Sequence, residues 1–238
     1  MNEVISEPET ETVPENVPKT VPKTIVWYVA DPMCSWCWGF SSVVERLKRD
    51  YQDTLPFALL LGGLRPFTRE PISDPMREEI LHHWRQVHDM TGQEFSFAGA
   101  MPEGFIYDTE PPCRAVVAVG KLYPSLTFDY FKAVQRAFYL EQKNVTRESV
   151  LAELLETIGV DGSAPQTLSR KAPFLQEFRS EACQKMTQAH FHKSREFGVR
   201  GFPSMILQHQ KKYFLLTSGY RSYDELRSEI EACLRQAP

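Results

Sequence analysis

Cys34 and Cys37 are the residues of this chain whose type and spacing point most directly to chemistry. They lie in Asp31-Pro-Met-Cys-Ser-Trp-Cys-Trp-Gly-Phe40, immediately after Ile25-Val-Trp-Tyr-Val-Ala30, an apolar run with the composition of a buried strand. A cysteine in the first turn of a helix meets unpaired backbone N–H groups and the positive end of the helix dipole, both of which favour thiolate over thiol. The thiolate is the nucleophile of disulfide exchange. Two intervening residues carry Cys37 nearly one turn past Cys34, close enough for its sulfur to attack a mixed disulfide formed on the first. The pair therefore reads as a redox dithiol at a strand-to-helix junction.

Other chemistries for the pair are weaker. Zinc needs four ligands, and the chain holds one Cys-x-x-Cys without a second such pair. No metal is expected. Two inert buried cysteines remain an alternative, against which stand the preceding strand and the helix-like continuation from Ser41 to Asp50. A structural disulfide suits a chain without an export signal least.

A second segment, Gly198-Val-Arg-Gly-Phe-Pro-Ser-Met-Ile-Leu207, sets a glycine-punctuated turn and a proline before a β-type run. In proteins whose Cys-x-x-Cys works by disulfide exchange, a cis-proline loop commonly faces the sulfurs; Pro203, after Phe202, is the candidate here. An ordinary trans proline opening an edge strand is the plainer alternative. Together these segments resemble the thioredoxin-fold oxidoreductases of the DsbA-like family, in particular a cytosolic branch of protein-disulfide isomerases related to FrnE-type proteins. The resemblance runs from about Lys23 to Leu234, with Tyr107-Asp-Thr-Glu-Pro-Pro-Cys-Arg114 as a third carrier that resembles the opening of a helix in the family's inserted domain. Many relatives end that motif in His-Arg where this chain has Cys113-Arg114, so no role is carried over to Cys113.

The resemblance implies an α/β thioredoxin fold with an inserted helical subdomain, and it makes Cys34 the more exposed, attacking sulfur and Cys37 the resolving one. Ser35 and Trp36 then tune the couple. Relatives with His at the Trp36 position gain a cationic donor, whereas an indole offers only a neutral N–H, which implies a less oxidising centre here. Trp36 is expected at the surface near substrate, while Trp38 and Phe40 divide evenly between core packing and the site. Asp31 is near enough to shuttle the Cys37 proton, but its charge opposes thiol ionisation, and a turn-capping role in Asp31-Pro32 explains it more simply. Cys113, Cys183 and Cys233 read as small buried side chains. His82, His83, His88, His190 and His192 lack the helical i, i+4 pairing of a metal site and read as surface residues. Arg114 reads as a helix-capping or ion-pair residue, with binding of a glutathione or substrate carboxylate as the lesser alternative.

These side chains need elements to hold them. The spacing predicts strands over 25–30 and 55–61, with an active-site helix from about Cys34 to Tyr51 between them, a unit that favours parallel pairing. After Pro203, strands over 204–208 and 212–217 flank the turn at 209–211, and an amphipathic helix runs from Tyr223 to Arg235. Between the halves the pattern is helical: a helix capped by Asp74-Pro75 ending near Gly92, others near 111–122, 126–142 and 147–158, and a long one over 173–197. The expected organisation is a disordered leader over 1–23, whose Val-Pro repeats carry too few apolar side chains to order it, a thioredoxin-like domain over 24–66 and 190–238, and a helical insertion over 67–189.

With 238 residues, 42% of them hydrophobic, the chain can bury a substantial core. A net charge of −4 with dispersed Lys and Arg gives no footprint for nucleic acid, and no run has the length of a membrane span. The glutamate-rich first twenty residues lack the apolar stretch of a secretory signal, and an odd total of five cysteines fits a reducing compartment, so a cytoplasmic location is expected. The expected activity is thiol-disulfide exchange on protein or small-molecule disulfides, with no cofactor beyond glutathione as a co-substrate. Two rivals stand beside it: a glutathione-dependent isomerase or transferase of the same fold, and a non-catalytic peptide-binding chaperone or adaptor. Oligomeric state is not legible.

Overall fold

The computed structural model describes residues 4–5, 24–159, 169–210 and 212–235. They divide into two compact units, one from residues 1–62 with 188–238 and the other from residues 63–187.

The first unit is built on a sheet. Its strands are β1 (Val4–Ile5), β2 (Thr24–Ala30), β3 (Phe57–Leu61), β4 (Ser204–His209) and β5 (Lys212–Ser218), in the order β1-β5-β4-β2-β3. Strand β2 pairs parallel with β3 and antiparallel with β4, and β4 and β5 form the antiparallel hairpin expected from two β-type runs flanking a short polar turn. Because β2 is covered on both faces, its residues from Ile25 to Ala30 are all buried, which is why it reads as an unbroken apolar run. Ile25, Trp27, Val29, Ala58, Leu60, Ile206 and Tyr213 make a core with Phe197, against which Phe202 also packs. Of the leader expected to be disordered, Val4–Ile5 is a two-residue strand on the edge of β5; the rest lies outside the described residues.

The expected single active-site helix is two: α1 (Ser35–Gly39) and α2 (Ser41–Asp50), joined at Phe40. Glycine is a poor helix former, and α1 ends on it. The hydrogen-bond chain nonetheless continues, with Phe40 N–H to Trp36 O at 3.0 Å and Val44 N–H to Phe40 O at 3.1 Å.

The helical unit holds α3 (Asp74–Thr91), α4 (Glu110–Leu122), α5 (Thr127–Tyr139), α6 (Glu148–Glu156) and α7 (Lys171–Arg179), with α8 (Glu181–Glu196) following. The cap of α3 is Ser73, whose hydroxyl accepts from Met76 N–H, rather than Asp74. The helix expected over 126–142 runs only to Tyr139, after a short 3-10 turn at Pro124–Leu126. The long helix expected over 173–197 is broken at Ser180, whose extended ψ of 145° ends α7 and whose hydroxyl accepts from Cys183 N–H at 3.0 Å. Trp84 lies fully buried among Phe95, Phe97, Phe138 and Tyr139, and α4 buries Cys113 and the run Ala115 to Val119. The last described helix, α9 (Tyr223–Arg235), has the bounds its periodicity predicts.

His190 of α8, expected at the surface, is fully buried, and its Nδ1 accepts from Leu61 N–H at 3.2 Å, satisfying an edge-strand amide of β3. Burial lowers its pKa from 6.5 to about 3, so the folded chain keeps it neutral where the unfolded chain takes a proton. Stability should therefore be unaffected by this group above pH 6.5 and fall at up to about 1.4 kcal/mol per pH unit below it, until about pH 3. Urea unfolding over a pH series checks this: His190→Gln, whose amide oxygen can accept the same N–H, should show a shallower acid slope than wild type.

Candidate dithiol site

Strand β2 delivers the chain into a turn whose residues suit it. Asp31 stands at the first position with Pro32 at the second, where its fixed φ is pre-set for the bend. Cys34 N–H closes the turn on Asp31 O at 3.1 Å, and the Asp31 carboxylate accepts from Met33 N–H at 2.8 Å. The turn leaves Cys34 as the N-cap of α1, in extended backbone, with its carbonyl accepting from Trp38 N–H at 3.1 Å. Among the described residues no side chain caps the helix, whose first N–H groups lie at its Cys34 end.

Cys34 and Cys37 are both free thiols and both buried, Cys34 to 5% exposure and Cys37 to none. The Cys34 sulfur donates to Phe202 O at 3.5 Å, which places the loop before β4 directly beside the dithiol. The Phe202–Pro203 peptide bond is cis, and Pro203 O accepts from Gly219 N–H at 2.7 Å. Burial pushes the Cys37 thiol well above the ordinary range; its hydrogen bond with Cys34 and the Asp31 charge add to the rise, while a backbone hydrogen bond at Asp31 opposes it. Asp31 thus makes the turn and acts on the Cys37 thiol in both directions, its backbone lowering and its charge raising the pKa.

Of the sequence candidates, Asp31, Cys34, Cys37, Phe202 and Pro203 come together. Ser35 and Trp36 are half-buried, and the Trp36 ring leans on Tyr220 with centroids 6.5 Å apart. Trp38 and Phe40 belong to the core. Cys113 and Cys183 sit in the helical unit and Cys233 in α9, all fully buried; burial pushes the Cys183 thiol up to about 12. Arg114 pairs with Glu110 at 2.8 Å, donates to Phe178 O and stacks over the Phe178 ring. Among the described residues no group of three or more His, Cys, Asp or Glu is arranged to hold a metal.

Three neighbours escaped the sequence reading. Tyr28 of β2 is buried against the pair, its hydroxyl 3.5 Å from Cys37 O. A hydroxyl inside a wholly apolar buried strand needs a partner, and that was the available signal. Tyr220 packs on Trp36 and, edge-on, on Phe40. Gly62, just past β3, lies so close to Phe202 that a Cβ there would overlap the Phe202 ring.

A model of the DSBA-like thioredoxin domain family matches residues 25–231. A crystal structure of a candidate protein disulfide isomerase from Nitrosomonas europaea is 39% identical, with a TM-score of 0.82 over 91% of this chain and 100% of that one. The cytosolic disulfide reductase DsbM from Pseudomonas aeruginosa is 27% identical, with a TM-score of 0.70 over 90% of this chain and 100% of that one, and a further structure holds DsbM with GSH. The ClpXP adapter protein SpxH of Halalkalibacterium halodurans is 21% identical over 74% of this chain. The chain spans about half the length of the curated relatives it matches, 56% and 55%. The fold is thereby the DsbA-like thioredoxin fold, with a helical unit between its two halves.

The Gly62 contact yields an expectation. Gly62→Ala must push the Phe202 ring aside, at a cost of about 1–3 kcal/mol, and shift the carbonyl that faces Cys34. Disulfide exchange should slow by roughly tenfold while the chain still folds, since a displacement of about 1 Å at a reacting centre costs more than that in rate. Exchange rates beside a thermal melt check it, and an unchanged rate would show that the Phe202 carbonyl does not matter.

Proposed function

The chain belongs to the DSBA-like thioredoxin domain family, and on that premise we propose that it is a thiol-disulfide oxidoreductase that reduces or isomerises disulfides through Cys34 and Cys37. The observation that carries this is the placement of Cys34 at the N-cap of α1 with its sulfur against Phe202 O, and of Cys37 behind it as a deeply buried, reluctant thiol.

The Cys34 thiolate attacks one sulfur of a substrate disulfide, forming a mixed disulfide and expelling the other sulfur as a thiolate. Cys37 then loses its proton and attacks the Cys34 sulfur, which breaks the mixed bond and releases the second substrate thiolate. The substrate has gained two electrons, and the protein holds a Cys34–Cys37 disulfide. Two glutathione molecules return those electrons and leave as the oxidised dimer. Glutathione as co-substrate, the reducing direction and a cytoplasmic location are supported by the likeness to DsbM, named a cytosolic disulfide reductase and solved with GSH. Trp36 supplies no charge to favour an oxidising couple.

A second reading, a binding module that docks a protein partner, is favoured by the likeness to SpxH, named a ClpXP adapter. The two separate cleanly: an adapter keeps its function when both Cys34 and Cys37 are serine.

Cys34→Ser should abolish exchange, at least a thousandfold loss on the scale of removing a nucleophile. Cys37→Ser should accumulate mixed disulfides on Cys34, and mass spectrometry of the trapped adduct locates them; attachment at another cysteine would sink the assignment. Because Cys37 is held as a thiol, its thiolate fraction at neutral pH rises about tenfold per pH unit. Decay of the wild-type mixed disulfide should accelerate with pH by up to that factor, as single-turnover quenching would show.

A further inference from the structure

In that exchange Cys37 must become an anion in a place where burial and Cys34 oppose it most and the Asp31 charge adds to the opposition, with a backbone hydrogen bond at Asp31 working the other way. Among the described residues no cation stands with the groups that shift it. Its neighbours among titratable groups are Cys34, Asp31 and Tyr28. Tyr28 is 1% exposed, in the middle of β2 between β4 and β3, with its ring 6.0 Å from that of Phe40. Its hydroxyl donates to the Cys37 carbonyl oxygen at 3.5 Å, and the nearness of the Cys37 side chain adds to the rise of the phenol's pKa. Burial holds the phenol well above its ordinary range, so it stays protonated and can only donate when Cys37 turns anionic.

We propose that Tyr28 is a working part of the dithiol site, its hydroxyl donating to the Cys37 sulfur as that sulfur ionises and attacks the mixed disulfide on Cys34. This rests on the reading of Cys34 and Cys37 as a redox pair. A neutral donor suits the place, since a cation would have to be desolvated to reach it, whereas a phenol is carried there by the strand as part of the core. Tyr28 therefore governs resolution and leaves the first attack alone.

Single-turnover reaction with the symmetric aryl disulfide dithiobis(nitrobenzoate) separates the two steps. In the first phase Cys34 takes one aryl thiol and releases the other as a coloured thiolate. In the second, Cys37 gives up its proton to solvent, attacks the Cys34 sulfur and releases the remaining thiolate; the dithiol is oxidised by two electrons and the reagent reduced by two. Tyr28→Phe, which keeps the ring and its packing, should leave the first phase unchanged and slow the second about three- to tenfold at pH 7, the factor expected for one hydrogen bond. The pH profile of that second phase should move upward. Site-specific replacement of Tyr28 by a difluorotyrosine, a stronger donor of the same shape, should speed it. A second phase unchanged in both variants, or both phases slowed alike, would overturn the role of Tyr28 and leave the dithiol intact. Wild-type protein with no second phase would overturn the dithiol reading, and this inference with it.

Discussion

Everything at this site depends on the hydrogen-bonded turn from Asp31 to Cys34. It stops β2 and starts α1 within four residues, so one cysteine sits at the helix entrance and the other one turn inside. The asymmetry between the sulfurs follows from position alone: the first has helix N–H groups around it and a loop carbonyl in front, and the second has the protein interior. If Asp31 gave up its bond to Met33 N–H, the helix entrance would loosen and the two environments would converge. The carboxylate is buried there, and its charge raises the Cys37 thiol while a backbone hydrogen bond at Asp31 lowers it.

The loop facing the pair is held with equal economy. Phe202 packs its ring over Gly62 and against the core on one face of the sheet, which leaves its carbonyl on the Cys34 side, while the Pro203 carbonyl is tied to Gly219. The far end of that arrangement is His190, which satisfies Leu61 N–H at the end of the same strand that Gly62 extends. Strand β3 is short and lies on the edge of the sheet, so its last amide has no strand to bond, and a neutral imidazole from α8 serves instead.

Much of this was legible in the sequence because it is written in local signals. The dithiol spacing, the Asp-Pro turn, the β-type runs at 204–208 and 212–217 on either side of a polar turn, and the periodicity of α9 each depend on neighbours within a few residues. The failures were tertiary or competed with weak propensity. Ser180 sits in a run that propagates a helix on either side, and only its hydroxyl capping Cys183 N–H reveals the break. His190 looked like a surface residue because its partner is an amide some 130 positions away, as the separation of 129 records. Gly62 reads as a strand terminator, and the ring that occupies its missing Cβ comes from the other end of the chain.

Tyr28 shows how a strand can carry function without a motif. Alternation places it on the face opposite Trp27 and Val29, so one strand supplies the core on one side and a hydroxyl to the dithiol on the other. The same bond matters in both directions of the cycle. In the proposed reduction a thiol attacks the Cys34 sulfur of the closed disulfide, Cys37 is the leaving group, and a sulfur of high thiol pKa leaves slowly. A donor that eases the anion in during resolution eases it out during reduction, so it accelerates opening and closing together and shifts the balance between them little. The equilibrium of the couple is then set elsewhere, by the helix entrance at Cys34 and the uncharged Trp36, while the buried strand sets its speed.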